Sequence, residues 1–276
     1  MINGIAMKTI TDHQLEAYNT SKDSDNKIHD DAIAKKFGFA GGLVPGVDVY
    51  AYLTNPVVKT WGHDWLNGGS CACRLITPVY DGATVTVKAE FMEGIQRSMK
   101  ISVESMGQLC AEATANLPSK EPKQPNLDRF LKTPLPKERP PASSESLPVG
   151  ALLGSYSMPV SSQFASEYLE NVRETLPIYR NKNLVHPGII LRFGNWALNQ
   201  NVLLGPWIHV ASNIQNLSEV KVGEELSVRS LVINNYERKG HKFVELDAVV
   251  LAGDDRFVAR IEHRAIYQPR QVLETH

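Results

Sequence analysis

The densest run of groups able to move protons in this chain is Asp23-Ser24-Asp25-Asn26-Lys27-Ile28-His29-Asp30-Asp31. An imidazole that titrates near neutrality, set among carboxylates and neutral hydrogen-bonding side chains, has the composition of an acid-base site. Read for local structure alone, the same run is an Asx-rich turn. Ser24, Asp25 and Asn26 suit turns and caps, and Asp30-Asp31 can open a short helix over 32–37. Further on, Gly46 follows Pro45 at the head of an apolar stretch. A proline has no N–H of its own, so the Gly46 N–H stands free at the positive end of the helix that follows. Such an amide can hold an oxygen that gains negative charge during a reaction.

Those groups need elements to position them, and the chain supplies two similar sets. Leu43-Val44-Pro45-Gly46 matches Val185-His186-Pro187-Gly188 at an offset of 142 residues, and the same offset relates Trp65 to Trp207 and Ser70 to Ser212. Asp81-Gly82 matches Val222-Gly223 after a slip of one. Each Pro-Gly leads into a mostly apolar stretch, 47–61 and 189–204, with helical spacing in Val47, Tyr50, Ala51, Thr54 and Val58. Pro56 predicts a kink or an end to the first helix near Tyr52. Alternating segments follow in each half: 84–91, 100–104 and 109–115, then 226–232, 244–250 and 257–265. Turns are predicted at 94–96, 238–240 and 253–255. A buried helix followed by at least three antiparallel strands, twice over, predicts two sheets that each wrap a helix and join edge to edge.

Eight of the sixteen prolines fall between Pro118 and Pro148. That density predicts an exposed, extended connector with room for one turn near 127–131. The expected organisation is therefore an N-terminal half with the active loop (1–117), a Pro-rich linker (118–150) and a structural C-terminal half (151–276). The second half has no counterpart to the 23–31 cluster: the offset carries His29 onto Asn171. His186, His63 and His209 are expected to be packing residues. Tyr50, Tyr52, Trp61, Trp65 and Trp207 could wall an apolar tunnel or simply fill the core.

The 23–31 run together with Gly46 resembles the MaoC-like hydratases and dehydratases of the hotdog superfamily. Their motif reads Asp-x-Asn-Pro-(Leu/Ile)-His, then an acidic residue, an Ala, and a Gly at the start of the central helix. Asn26, Ile28, His29, Asp30, Ala34 and Gly46 match it. Lys27 replaces the motif Pro, and Ser24 stands where the family carries its catalytic Asp, flanked by Asp23 and Asp25. The resemblance implies an α+β double hotdog and a hydro-lyase acting on an enoyl or 3-hydroxyacyl thioester in fatty acid metabolism. It implies His29 with Asp25 or Asp23 as catalytic groups, and Ser24, Asn26, Gly46 and Tyr50 as substrate-binding groups. No metal or redox cofactor is expected; coenzyme A or an acyl carrier would be the substrate's handle. Two alternatives stand beside this reading: a thioesterase or isomerase that keeps His29, and a non-catalytic acyl-thioester or small-molecule binder in which Ser24 marks a lost acid.

Composition narrows the partners. With 29 basic against 30 acidic residues, the net charge of -1 offers no basic field for nucleic acid or an anionic membrane. Cys71, Cys73 and Cys110 are too few and wrongly spaced for a tetrahedral zinc site and are expected to be reduced. No long apolar run or secretory leader is evident, which predicts a cytoplasmic protein, either a monomeric pseudo-dimer or a homodimer. Phosphate-loop, dinucleotide, serine-hydrolase and zinc-protease motifs are absent from the sequence.

Overall fold

The computed structural model describes residue 10 and residues 12–22, 24–92 and 95–270. The first half runs β1 (His13–Glu16), α1 (Asp31–Lys36), α2 (Gly46–Leu66), β2 (Ser70–Leu75), β3 (Thr84–Met92), β4 (Ile95–Ser105) and β5 (Gln108–Asn116). The second runs β6 (Leu152–Pro159), α3 (Ser162–Asn171), α4 (Pro177–Lys182), α5 (Pro187–Asn199), β7 (Ile208–Asn216), β8 (Glu225–Arg238), β9 (His241–Ala252) and β10 (Arg256–Gln268). The described strands form one antiparallel sheet in the order β1-β3-β4-β5-β2-β7-β10-β9-β8-β6. The order is mirrored about its centre: in each half the first strand is the outer edge and the strand after the long helix is innermost. This is the repeat expected from the 142-residue offset, with the two sheets fused at the β2–β7 pair, where Cys73 faces Ser212.

The sheet wraps the two long helices. Residues Val47 to Val58 of α2 are buried without a break, because the helix has sheet around it and α5 beside it. The two helices come close at Gly188, where an added Cβ would strike the Tyr168 hydroxyl and lie 3.0 Å from the Ala51 Cβ. Pro56 does not end α2 as expected. The surrounding packing carries the helix through the proline, and the only non-helical residue inside it is Gly62, whose φ of 52° suits glycine. The Trp landmarks also part company, since Trp65 lies within α2 whereas Trp207 lies beyond the end of the shorter α5.

One buried ion pair joins the helices. Arg192 on α5 donates to Asp48 on the first turn of α2 at 2.8 Å, and Thr20 donates to the same carboxylate at 2.6 Å. Asp48 is fully buried.

The 118–150 segment is not the loose connector its prolines suggest. It contains the expected turn, a 3₁₀ turn at Leu127–Arg129 capped by Asn126. It is then pinned along its length. Phe130 is buried with Val249, Leu251 and Phe257 in a small core of their own. Thr133 bonds Leu153 and Ser155 of β6, and Pro140 and Ala142 bond Leu203 beyond α5. Leu147 is buried in the main core. Prolines lack donors but keep their carbonyls, so an extended proline-rich path can still be tied down as an acceptor. Among the described residues, no helix is long and apolar enough to cross a membrane.

β7 carries an extra residue, Val210, between the paired His209 and Ala211. This bulge puts His209 and Ser212 on the same inner face despite their odd spacing. Ser212 bridges His209 Nε2 at 2.8 Å and His263 Nδ1 at 2.9 Å, and the two rings stack. Burial lowers both imidazoles, His209 to about 4 and His263 well below its usual value.

Two measurements test this packing. Phe130→Ala should cost about 3 kcal/mol in chemical denaturation, the scale for a buried aromatic; a loss within about 0.5 kcal/mol, typical of a surface site, would show the segment to be a free linker. Acid should weaken the fold through His209. Its pKa is depressed on folding, so above pH 6.5 it contributes no pH dependence, and as pH falls from 6.5 towards 4 only the unfolded chain takes up the proton. Stability should drop by about 3 kcal/mol from this group across that window. The His209→Gln variant should show a flatter profile, and parallel profiles would reject the assignment.

Candidate active site

The 23–31 run folds as a cap, a 3₁₀ turn and a second cap. Asn26 caps the turn Lys27–His29, with its Oδ1 accepting from the Ile28 N–H. Ile28 is the anchor: it is buried with Ala34 and Leu43, against Phe37, Phe39, Tyr80 and Ile208. Asp30 caps α1 by accepting from the Ile33 N–H at 2.9 Å, and Asp31 accepts from the Gly42 N–H at 2.7 Å. Both carboxylates therefore have structural partners. Asn19 donates to the His29 carbonyl at 3.0 Å, which ties the turn to the segment that follows β1.

His29 is held by both ring nitrogens. Its Nδ1 lies 2.6 Å from the Leu43 carbonyl, which can only accept, so Nδ1 carries the proton. Nε2 is then a lone pair, 3.3 Å from the Asn26 Nδ2. Burial lowers the His29 pKa below its ordinary value; the Leu43 contact and the Asp48 charge oppose that shift, and Arg192 adds to it. The ring is accordingly neutral near pH 7, and its basic nitrogen is covered only by the long 3.3 Å contact from Asn26, which a substrate oxygen would have to displace. Asn26 is locked in turn to the second half, donating to the Trp207 carbonyl at 3.0 Å and accepting from the Trp207 N–H at 3.1 Å.

Two cavities meet at this point. The first, about 230 Å³, is mainly apolar and is lined by Val49, Leu75, Val79 and Ile266 among others, with Gly46 at its wall. The second, about 410 Å³, is polar and is lined by Ser24, Asp25, Arg139, Arg192, Asn199 and Gln200. Asn26, His29, Pro45, Asn195 and Trp207 line both.

The structure brings most of the expected site residues together, in unequal ways. Ser24 and Asp25 share the polar chamber with His29, but among the described residues no carboxylate bonds the His29 ring; Asp25 is exposed. Asp23 lies outside the described residues. Gly46 opens α2 and shares the apolar cavity with His29, and Pro45 before it offers no side-chain cap. Packing of β2 and β7 demands the glycine at position 46, since a Cβ there would strike Leu75 and lie 2.9 Å from His209 Nδ1. Tyr50 lines neither cavity. It is fully buried in the main core.

The second helix start is closed. His186, at the position of Val44, accepts from the Gly188 N–H at 3.0 Å and lies 3.5 Å from Glu174. Its ring is buried against Tyr179 and Tyr168. A side-chain cap thus satisfies the first turn of α5, while the first turn of α2 faces a cavity. The residues that sequence reasoning missed lie on α5: Arg192, Asn195 and Asn199 form one wall at helical spacing. Their signal was a polar stripe on an otherwise apolar helix.

No family model matches this sequence, and no curated protein does. Solved structures do match. RV0216 of Mycobacterium tuberculosis, described as a conserved hypothetical protein with a double hotdog fold, superposes with a TM-score of 0.60, over 93% of this chain and 96% of that one, at 16% identity. A putative MaoC domain protein dehydratase from Chloroflexus aurantiacus gives 0.59 over 95% and 94% at 11% identity. A tesB protein of Mycobacterium avium subs paratuberculosis gives 0.52 over 82% and 88% at 11% identity. The likeness is one of fold, found across proteins titled dehydratase and thioesterase alike, and with the mirrored ten-strand order and paired central helices it makes this chain a double hotdog.

Proposed function

We propose that the chain is a hydro-lyase that adds water to, or removes it from, an enoyl or 3-hydroxyacyl thioester. The observation that carries the reading is His29 itself: a neutral imidazole, fixed through Nδ1, whose basic Nε2 lies where an apolar cavity meets a polar one. The acyl chain would take the apolar side, and coenzyme A or a carrier arm the polar side. In hydration, His29 Nε2 accepts a proton as the water oxygen bonds C3. Electron density moves onto the thioester oxygen, held by the Gly46 N–H at the positive end of α2. The imidazolium then returns the proton to C2 on the same face, so one water is added across the double bond and the histidine ends neutral. Ser24 and Asp25 border the water's chamber, with Asp25 or Asp23 in the part of the family's acid. Asn26 sets the ring and Trp207 sets Asn26.

Thioester hydrolysis is the second reading. It is favoured by the absence of a carboxylate on His29 among the described residues, because attack of an activated water on the thioester carbon expels a thiolate and needs no proton delivered to carbon, whereas hydration asks His29 alone for both proton transfers.

Assays on crotonyl-CoA and longer enoyl-CoA substrates separate the two, with loss of the enoyl absorbance reporting hydration and free thiol reporting hydrolysis. His29→Ala should lower turnover about 10²-fold or more, the scale of a lost acid-base group. If a flanking carboxylate acts, Asp25→Asn or Asp23→Asn should cost a similar factor and Ser24→Asp should add little. If the acid is missing, those two changes should be silent and Ser24→Asp should raise hydration. The acid limb of kcat/KM should fall below 6.5, the direction burial gives His29, with activity lost as pH drops. Full activity in His29→Ala would end the hydratase reading and the hydrolase reading together.

A further inference from the structure

Where the two cavities meet, the polar groups are unequally committed. The Asn26 carboxamide is spent on Trp207, Ile28 and His29. Asn195 lines the same junction from α5, and its carboxamide oxygen has no hydrogen-bond partner among the described residues. Its Oδ1 is fully buried. A buried, unpaired amide oxygen is costly to a fold, and the neighbouring α5 positions Leu191, Phe193 and Leu198 show that this helix accepts apolar residues readily. The polar face of α5 is also directed: Arg192, Asn195 and Asn199 all reach the chamber.

We infer that Asn195 is a substrate-binding residue whose buried carboxamide oxygen accepts a hydrogen bond from the oxygen at C3, the hydroxyl of a 3-hydroxyacyl thioester or the water about to become it. The water would give one proton to His29 of the first half and direct the other to Asn195 Oδ1 of the second, and the hydroxyl it becomes would still donate to Asn195. The site is then composite, and it discriminates 3-hydroxyacyl groups from their 3-deoxy counterparts, since a buried acceptor left unpaired penalises the ligand that lacks the hydroxyl. The inference rests on the acyl-thioester reading above.

Calorimetric binding of (R)-3-hydroxybutyryl-CoA and butyryl-CoA to the full chain tests it, alongside thermal melting. The parent should prefer the hydroxylated ligand by about tenfold, the value of one hydrogen bond. Asn195→Leu, close in volume, should bind both ligands alike while melting no lower than the parent, because it removes an unsatisfied buried group. A purely structural asparagine would give the opposite result, a lower melting temperature with the preference intact. Should the leucine fold poorly, Asn195→Ala serves: it must also lose the preference. A preference retained in either folded variant, or absent from the parent, overturns the inference while leaving the thioester reading in place. A parent that binds neither ligand overturns both.

Discussion

A carboxylate with no access to water must find a cation, and in this molecule the cation comes from the other half of the chain. Asp48 lies on the first turn of α2, where the helix dipole favours a negative charge, yet it is fully buried. Arg192 supplies the countercharge from α5 and stacks its guanidinium over the Tyr168 ring at 4.8 Å. Removing one member of such a pair leaves an uncompensated buried charge, a loss of roughly 3–5 kcal/mol. The pair therefore ties the relative placement of the two central helices to charge balance, where apolar packing alone would tolerate sliding. The start of α2, the turn that carries His29 and the wall made by α5 all take their positions from that contact.

The two halves share a topology and differ in the treatment of one helix end. In the second half His186 caps the first turn of α5 and is backed by Glu174, which itself bonds Asn55 of α2 at 2.9 Å. Burial pushes the Glu174 carboxyl up, but His186 and the neighbouring backbone N–H groups outweigh it and hold the group below its ordinary range. In the first half the matching residue is Val44, which has nothing to offer as a cap. Its helix end faces the cavity that His29 lines. A single exchange, Val against His before a Pro-Gly, separates a helix start that is sealed from one that is available to a ligand.

The site also draws on elements far apart in the chain. Trp207 accepts from and donates to Asn26 across 181 residues of sequence, adding a tie from the second half to the anchors that Ile28 and Asn19 give the turn at 26–29. Arg139, on the proline-rich segment, bonds the Asn199 carbonyl at the end of α5 and lines the polar chamber. The segment that composition marks as a linker therefore contributes to a wall.

Patterns that depend on neighbours in sequence were legible from the chain alone. Helical spacing after each Pro-Gly, period-two alternation in the later strands, the Asp30 cap and the duplicated order all arise from local geometry, and a periodic pattern reports the face that must be buried. The grouping of His29, Asn26 and Gly46 was legible through its motif spacing. Other features needed the tertiary structure because their causes lie in contacts between distant residues. The sheet closes at β2 and β7, α2 continues through Pro56 because it is enclosed on all sides, and Gly46 lacks a side chain because His209 and Leu75 occupy that space. Tyr50 sits at helical spacing whether it faces a tunnel or the core, and only the packed molecule assigns it to the core. Asn195 shows the same division: one sequence position in an apolar helix says nothing of its surroundings, and only the packed molecule places it on the walls of the two cavities that His29 also lines.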